Sequence, residues 1–227
     1  MVRAMKRKVS MIVLAAGSGS RMGLPKALLR LRAGTPLLEH HVLTMVQAQG
    51  PEDPFEIIVV LGASASLARP LVPSIARVVE NSEFSTGMGS SLQTGLRAVS
   101  DDAEAAIVTL VDLPDTPVDA YRRLRERASP EVLARCTWNR VHGHPVMFGR
   151  DLFQRAITAC HGDIGAKDLF RELSAQILDI ECGDLLASGI TGNNDVDTPP
   201  QAEAHGLVLP PVAPGGVLPT TGMSDHA

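Results

Sequence analysis

The sequence predicts an α/β fold of Rossmann-like type, a mostly parallel sheet with helices on both faces. Three observations predict it. Apolar runs at 9–15, 55–60 and 105–111 lack the alternation of a half-solvated strand, as expected where a parallel sheet is covered on both sides. Segments with helical spacing separate those runs, which is the rhythm of βαβ units. The first run passes directly into a loop containing Gly17, Gly19 and Gly23, at the sheet edge where open α/β sheets hold ligands.

The elements follow in order. Residues 9–15 read as a short buried strand. Residues 37–49 read as a helix, with Thr35-Pro36 as its cap and first turn. Strands are expected at 55–60 and 76–80, a helix at 90–99, a fully apolar strand at 105–111 and a charged surface helix at 118–128. The pattern changes after Pro130. Short strands at 133–139 and 146–148 flank a turn at His142-Gly143-His144-Pro145. Helices at 151–159 and 166–173 and a strand at 176–180 complete a second half, 129–205, that shares the sheet of the first half, 9–128. One domain over 1–205 is therefore expected. Residues 206–227 hold Pro210, Pro211, Pro214, Gly215, Gly216 and Pro219, lack periodicity, and are expected to form a mobile tail.

The chain has 227 residues, 44% apolar and 20% charged, which places it among globular proteins with a sizeable core. Aromatics make up 3%, so the core is built from Leu, Val, Ile and Ala. That argues against a base-stacking platform, and a net charge of -4 gives no polyanion footprint. No nucleic-acid partner is expected. Cys136, Cys160 and Cys182 show no CxxC or metal-type spacing and read as reduced thiols of a cytoplasmic protein. The apolar run after the basic residues 1–8 is too short for a secretory or membrane-spanning segment, so no membrane association is expected.

The loop carries chemistry. Glycines let backbone N–H groups approach an anion, while Arg21 supplies a fork and Lys26 a point charge. The spacing Gly17-x-Gly19-x-x-x-Gly23 is one residue too long for the dinucleotide fingerprint, and the strand ending Val60-Leu61-Gly62 offers no acid to a ribose. Nor does Lys26, which follows Pro25, complete a P-loop. Asp112 follows the apolar strand 105–111 in Leu110-Val111-Asp112-Leu113-Pro114-Asp115-Thr116-Pro117. It leaves the sheet at the same edge as the glycine loop, where a carboxylate can hold Mg²⁺ against phosphates. Asp115 or Thr116 reads as the cap of the next helix. In Asn193-Asn194-Asp195-Val196-Asp197-Thr198-Pro199 the two aspartates are two apart and face the same way on extended chain.

Leu14-Ala15-Ala16-Gly17-x-Gly19-x-Arg21-Met22-Gly23-x-Pro25-Lys26 resembles the signature loop of nucleotidyltransferases related to the molybdenum-cofactor enzymes. More closely, it resembles the molybdenum cofactor cytidylyltransferases, over roughly 9–204. The resemblance implies Mg²⁺-dependent transfer of CMP from CTP to the terminal phosphate of the molybdenum cofactor, with release of pyrophosphate. It makes 9–128 the nucleotide-binding half and 129–205 the acceptor-side half. Lys26, Arg21 and Asp112 would be catalytic. Leu14, Ala15, Ala16, Gly17, Ser18, Gly19, Ser20, Arg21 and Lys26 would contact the nucleotide, with Asp112. The segment 83–95 would read the base through Ser90 and Ser91, and Ala16, in place of the glycine of guanylyl members, would narrow the site against a purine. Asp112 would hold the metal together with one of Asp195 and Asp197, Asp195 being favoured, while the other caps the helix after Thr198. His144, Pro145, Asp163, Gly165 and Lys167 would face the acceptor, Lys167 replacing an arginine of the family. His142 and His144 have no third ligand at zinc spacing. Three alternatives stay open: another phosphorylated acceptor, GTP in place of CTP, or a non-catalytic cofactor-binding accessory protein. Transient docking to a molybdoenzyme is implied as a partner interaction.

Overall fold

The computed structural model describes residues 8–50, 55–187 and 190–210. In chain order these form β1 (Val9–Ala15), β2 (Arg30–Leu31), α1 (Leu37–Ala48), β3 (Glu56–Leu61), α2 (Ala65–Ala68), β4 (Arg77–Glu80), α3 (Met88–Ala98) and β5 (Ala105–Leu110). Then follow α4 (Val118–Arg125), β6 (Leu133–Trp138), β7 (Val141–Gly149), α5 (Phe153–Ala159), α6 (Lys167–Glu172), β8 (Leu178–Glu181), α7 (Pro199–Ala204) and β9 (Leu207–Val208).

The seven-stranded sheet runs β4-β3-β1-β5-β7-β6-β8. β4, β3, β1 and β5 are mutually parallel. β7 is antiparallel to β5 and to β6, and β8 lies parallel to β6. After β1 the chain builds outward on one side through β3 and β4, then returns to lay β5 on the other side of β1. The switch of direction opens a crevice beyond the carboxyl ends of β1 and β5. The glycine loop and Asp112 both enter that crevice.

Strand alternation splits β1 between two apolar layers. Val9, Met11, Val13 and Ala15 pack with Leu37, Leu38, Val42 and Met45 of α1 and Tyr121 and Leu124 of α4. Ile12 and Leu14 pack with Leu92 and Leu96 of α3, Phe153 of α5 and Leu169 of α6. Each such Leu, Ile or Phe fully removed from water contributes about 1.5–3 kcal/mol before entropy is counted. In α1 the buried positions recur at helical spacing, while Leu43 and Gln47 stay exposed on the outer side. No helix among the described residues is long and apolar enough to cross a membrane.

Several local expectations change. Neither Thr35 nor another side chain caps α1; Pro36 occupies its N-cap position. The expected His142–Pro145 turn is instead part of β7, and the hairpin turns at Asn139 and Arg140, both at positive φ (52° and 68°). Two successive positive-φ residues suit the twist of a tight hairpin. Pro145 is accommodated where the β6–β7 register shifts between Arg135 and Thr137, because a proline is tolerated in a strand at an irregularity. The segment expected as a tail begins with a strand. β9 pairs antiparallel with β2, and Leu207 is buried. β2 follows the turn that bears Lys26, so this pairing fastens the C-terminal segment beside it. The remainder of the expected tail, 211–227, lies outside the described residues.

Candidate active site

The loop after β1 owes its shape to Gly19. Its carbonyl accepts the N–H groups of Met22 and Gly23, both at 2.9 Å, and its φ is +67°. A Cβ there would lie 1.9 Å from the Leu24 carbonyl oxygen. The buried side chains of Met22 and Leu24 anchor the far side. Pro25 then starts a short 3-10 turn, Lys26–Leu28, which aims Lys26 back into the crevice. Gly19→Ala is expected to cost about 1–2 kcal/mol through the left-handed backbone alone. Because the clash also displaces the loop, nucleotide Kd should rise more than about tenfold. Calorimetric titration with nucleotide beside a thermal melt measures both, and an unchanged Kd would remove the loop from the site.

Lys26 Nζ lies 2.7 Å from Asp112 Oδ2 and 2.5 Å from Asp197 Oδ1, and Arg21 Nη1 lies 2.8 Å from Asp197 Oδ2. Burial acts to lower the Lys26 pKa, but Asp112 and Asp197 outweigh it, and the net shift is upward. The hydrogen bond from Lys26 holds the Asp197 carboxyl below its ordinary range against partial burial. Asp195 goes the other way: burial first, then the charges of Asp112 and Asp197, raise its pKa. Asp197 is therefore the counterion of the two cations rather than a helix cap. No side chain caps α7; the Gln201 Oε1 turns back instead to accept from the Asp197 N–H (3.0 Å) and the Thr198 hydroxyl (2.9 Å). Asp115 is not a cap either, because its carboxylate pairs with His205 at 2.5 Å.

Asp112 Oδ1 is buried and has no hydrogen-bond partner among the described residues. A buried carboxylate oxygen without a partner is costly, and it fits a hard cation that would complete its coordination. No group of three or more His, Cys, Asp or Glu among the described residues is arranged to hold a metal alone. That donor set suits an ion such as Mg²⁺, which takes one or two carboxylates and leaves positions for phosphate oxygens and water.

The loop bearing Asp112 is held from three sides. The Val111 N–H donates to the Leu14 carbonyl at 3.1 Å, and the Val196 N–H donates to the Asp112 carbonyl at 3.0 Å. From α1, His41 Nε2 meets the Val111 carbonyl and His40 Nε2 meets the Pro114 carbonyl, each at 3.0 Å. A carbonyl accepts only, so these ring nitrogens carry the protons. Sequence reasoning missed both histidines, since nothing in a helical His-His pair says which carbonyls it will meet. Burial drives the His41 pKa from 6.5 down to about 4. The unfolded chain takes up that proton near pH 6.5 and the folded chain only near 4. Stability should therefore be level above pH 6.5 and fall as pH drops from there toward 4, by up to about 3 kcal/mol. Denaturant midpoints at pH 7 and pH 5, compared with His41→Gln, measure it; an equal slope in both proteins would contradict the assignment.

A cavity of about 600 Å³ occupies the crevice. Leu14, Ala16, Gly17, Ser18, Gly19, Ser20, Arg21, Lys26, Asp112 and Ser91 line it, together with Phe84, Ser85, Gly87, Met88, Asp163 and Asp197. Two expected nucleotide contacts do not line it. The Ala15 side chain alternates to the other face of β1 and packs in the α1 layer. The Ser90 hydroxyl is occupied internally, 2.9 Å from the carbonyls of Glu83 and Gly87 and 2.8 Å from Asn81 Nδ2. Asn81 also donates to Ser91 Oγ at 3.0 Å and so sets the cavity floor. Gly87 has φ +111°, and a Cβ on it would meet Gly162 at 2.3 Å, which lets the 162–165 turn close over the floor.

A second cavity of about 560 Å³ adjoins the first, and Leu14, Met88 and Leu110 wall both. His144, Gly165 and Lys167 line it as the acceptor expectation requires, but Pro145 does not, and Asp163 faces the first cavity instead. Pro145 is buried in the irregular part of β7. Asp163 sits near the N-terminus of α3, 3.4 Å from the Met88 N–H. Burial pushes the His144 pKa down to about 4 against the pull of Asp112, so its imidazole is neutral at neutral pH.

A family model described as MobA-like NTP transferase domain matches residues 11–177. The chain is 32% identical over 200 residues to a protein of Paenarthrobacter nicotinovorans named "Nicotine blue oxidoreductase", covering 84% of this chain and 92% of that relative. It is 32% identical over 133 residues to a protein of Rhodopirellula baltica named "Probable molybdenum cofactor guanylyltransferase", covering 56% of this chain and 60% of that relative. The crystal structure of Rv0371c from Mycobacterium tuberculosis H37Rv superposes with a TM-score of 0.73 at 25% identity, over 89% of this chain and 99% of that one.

Proposed function

The chain belongs to the MobA-like NTP transferase family, and from that premise we propose that it transfers CMP from CTP to the phosphate of a small acceptor, releasing pyrophosphate. Nucleotidyl transfer of the MobA-like type comes with the family. The observation that carries the finer reading is the meeting of the glycine loop, the Lys26 ammonium and the Asp112 carboxylate around one cavity.

The acceptor phosphate is an anion at neutral pH and needs no strong base. One of its oxygens attacks the α-phosphorus of CTP, the bond from that phosphorus to the β-bridging oxygen breaks, and the electron pair leaves with pyrophosphate. Catalysis is positioning and charge stabilisation. Lys26 holds the α-phosphate and the charge that develops there, while Arg21 and the N–H groups of residues 18–20 hold the β and γ phosphates. Asp197 is the resting counterion from which the phosphates draw Lys26 and Arg21. Asp112 and Asp195 would hold Mg²⁺, whose chemistry is to neutralise phosphate charge and orient the leaving group.

The base choice rests on Ala16, whose methyl group narrows the cavity wall, and on Ser91 on the floor. The resemblance implies the molybdenum cofactor as acceptor, held on the His144, Gly165 and Lys167 side, with a molybdoenzyme docking to take the product. Incubation with each α-phosphate-labelled NTP, Mg²⁺ and molybdenum cofactor tests this. Label should enter product from CTP. Label from GTP alone would overturn the base choice, and label from no NTP would overturn this acceptor.

The name of the Paenarthrobacter relative favours a second reading, a redox reaction. It predicts consumption of NADH or NADPH. Against it stand the glycine spacing and the absence of an acid after β3, where Leu61 leads into Gly62.

A further inference from the structure

Trp138 is the one tryptophan of the chain and is buried at the end of β6. Two parts of the site meet on it. Its Nε1–H donates to the His144 carbonyl at 2.9 Å, and the His144 side chain lines the second cavity. Its ring carries the segment that leads to Asp195 and Asp197. Gly192 comes so close that a Cβ on it would run into Cγ, Cδ2 and Cε3 of the indole. The next residue, Asn193, is fixed by its amide, which donates to the His142 carbonyl at 3.1 Å. Its side-chain oxygen fills the space that a Cβ on Gly143 would need. Val196 is fully buried, and its N–H donates to the Asp112 carbonyl at 3.0 Å. Residues 192–196 thus run from the β6–β7 hairpin to the Asp112 loop.

We infer that Trp138 and Asn193 are positioning residues: they clamp the 192–197 segment against the β6–β7 hairpin and so bring Asp195 and Asp197 to Asp112 and Lys26. The inference rests on the nucleotidyl-transfer reading for what the two aspartates do, and adds what holds them. Residues 190–198 belong to no helix or strand, so no backbone ladder fixes them, and their place comes from a few specific contacts. A glycine seated on a flat ring leaves no void in which the chain could slide. Partners one step removed from metal ligands set the orientation of those ligands. Because the same indole holds the His144 carbonyl, it fixes a wall of the second cavity as well as the approach to the first.

Gly192→Ala, Asn193→Ala and Trp138→Leu in the full chain test this. Mn²⁺ binding, followed by the loss of its free electron-spin signal, should weaken about tenfold in each. Binding of metal-free CTP should not weaken, which separates a misplaced segment from a general loss of fold. Trp138→Phe keeps a flat ring under Gly192 and should bind Mn²⁺ as the unaltered protein does. Asn193 is only half-buried, so Asn193→Ala leaves the core intact where Trp138→Leu does not fold. Hydrogen exchange of the Val196 amide in unliganded protein reads the clamp without any ligand, and should be faster in Gly192→Ala and Asn193→Ala. Unchanged exchange would overturn the clamp. Faster exchange with unchanged Mn²⁺ affinity would overturn the positioning role and leave nucleotidyl transfer standing. Unaltered protein that binds neither Mn²⁺ nor any NTP would sink nucleotidyl transfer itself, and the inference with it.

Discussion

Lys26→Ala is expected to lower kcat about 10²–10³-fold while raising the Kd for CTP less than about tenfold. The difference follows from where the charge acts. In the proposed reading Arg21 and the N–H groups of residues 18–20 would hold the β and γ phosphates in the ground state, beside a bound metal. The Lys26 ammonium is best placed for charge that grows on the α-phosphate as the bond to pyrophosphate breaks, so its loss falls on the transition state. Asp112 and Asp197 hold the ammonium charged, with its pKa raised, so the effect should not depend on pH across the neutral range. The substitution also leaves those two carboxylates without their shared partner. Lys26→Arg separates the roles: it keeps the counterion but not the compact point charge, and should restore the ion pairs more than the turnover. Equal losses of kcat and affinity would assign Lys26 to ground-state binding alone.

Asp112→Asn is expected to reduce activity roughly 10³-fold at fixed Mg²⁺ and to raise the metal concentration needed for half-maximal rate. Asparagine keeps the shape and removes the charge of the carboxylate proposed to hold the metal, whose buried Oδ1 has no hydrogen-bond partner among the described residues. A second consequence does not require turnover. Asp112 is one of the charges that raise the Asp195 pKa, so neutralising it should let Asp195 ionise at lower pH. Carboxyl-carbon NMR titration of the two proteins measures that displacement. Binding of Mn²⁺, followed by the loss of its free electron-spin signal, gives the metal arm directly. Unaltered metal affinity, together with an unmoved Asp195, would place the metal elsewhere.

The parts of the fold that could be read in advance are those where one local signal sufficed. β1 ends where an apolar run meets glycine, and Asp112 stands where β5 ends, so the crevice was legible from two strand ends. The division of labour between Asp195 and Asp197 was not. Two aspartates facing the same way look alike until Lys26, 171 residues away from Asp197, selects one. Ser90 reads as an exposed hydroxyl until the carbonyls of Glu83 and Gly87 claim it. The Asn139–Arg140 hairpin has no glycine to announce it, and β9 is two residues long beside a proline-rich end. The apolar second cavity is assembled from β5, β7, α3 and α6, and no single stretch of sequence carries it.

The most direct measurement is pyrophosphate release by the purified protein with Mg²⁺, each NTP in turn, and the acceptor present or absent. The account predicts release with CTP that requires both acceptor and Mg²⁺, one pyrophosphate for each acceptor modified. No release with any NTP and any phosphorylated acceptor, in protein that consumes NADH or NADPH, would contradict it.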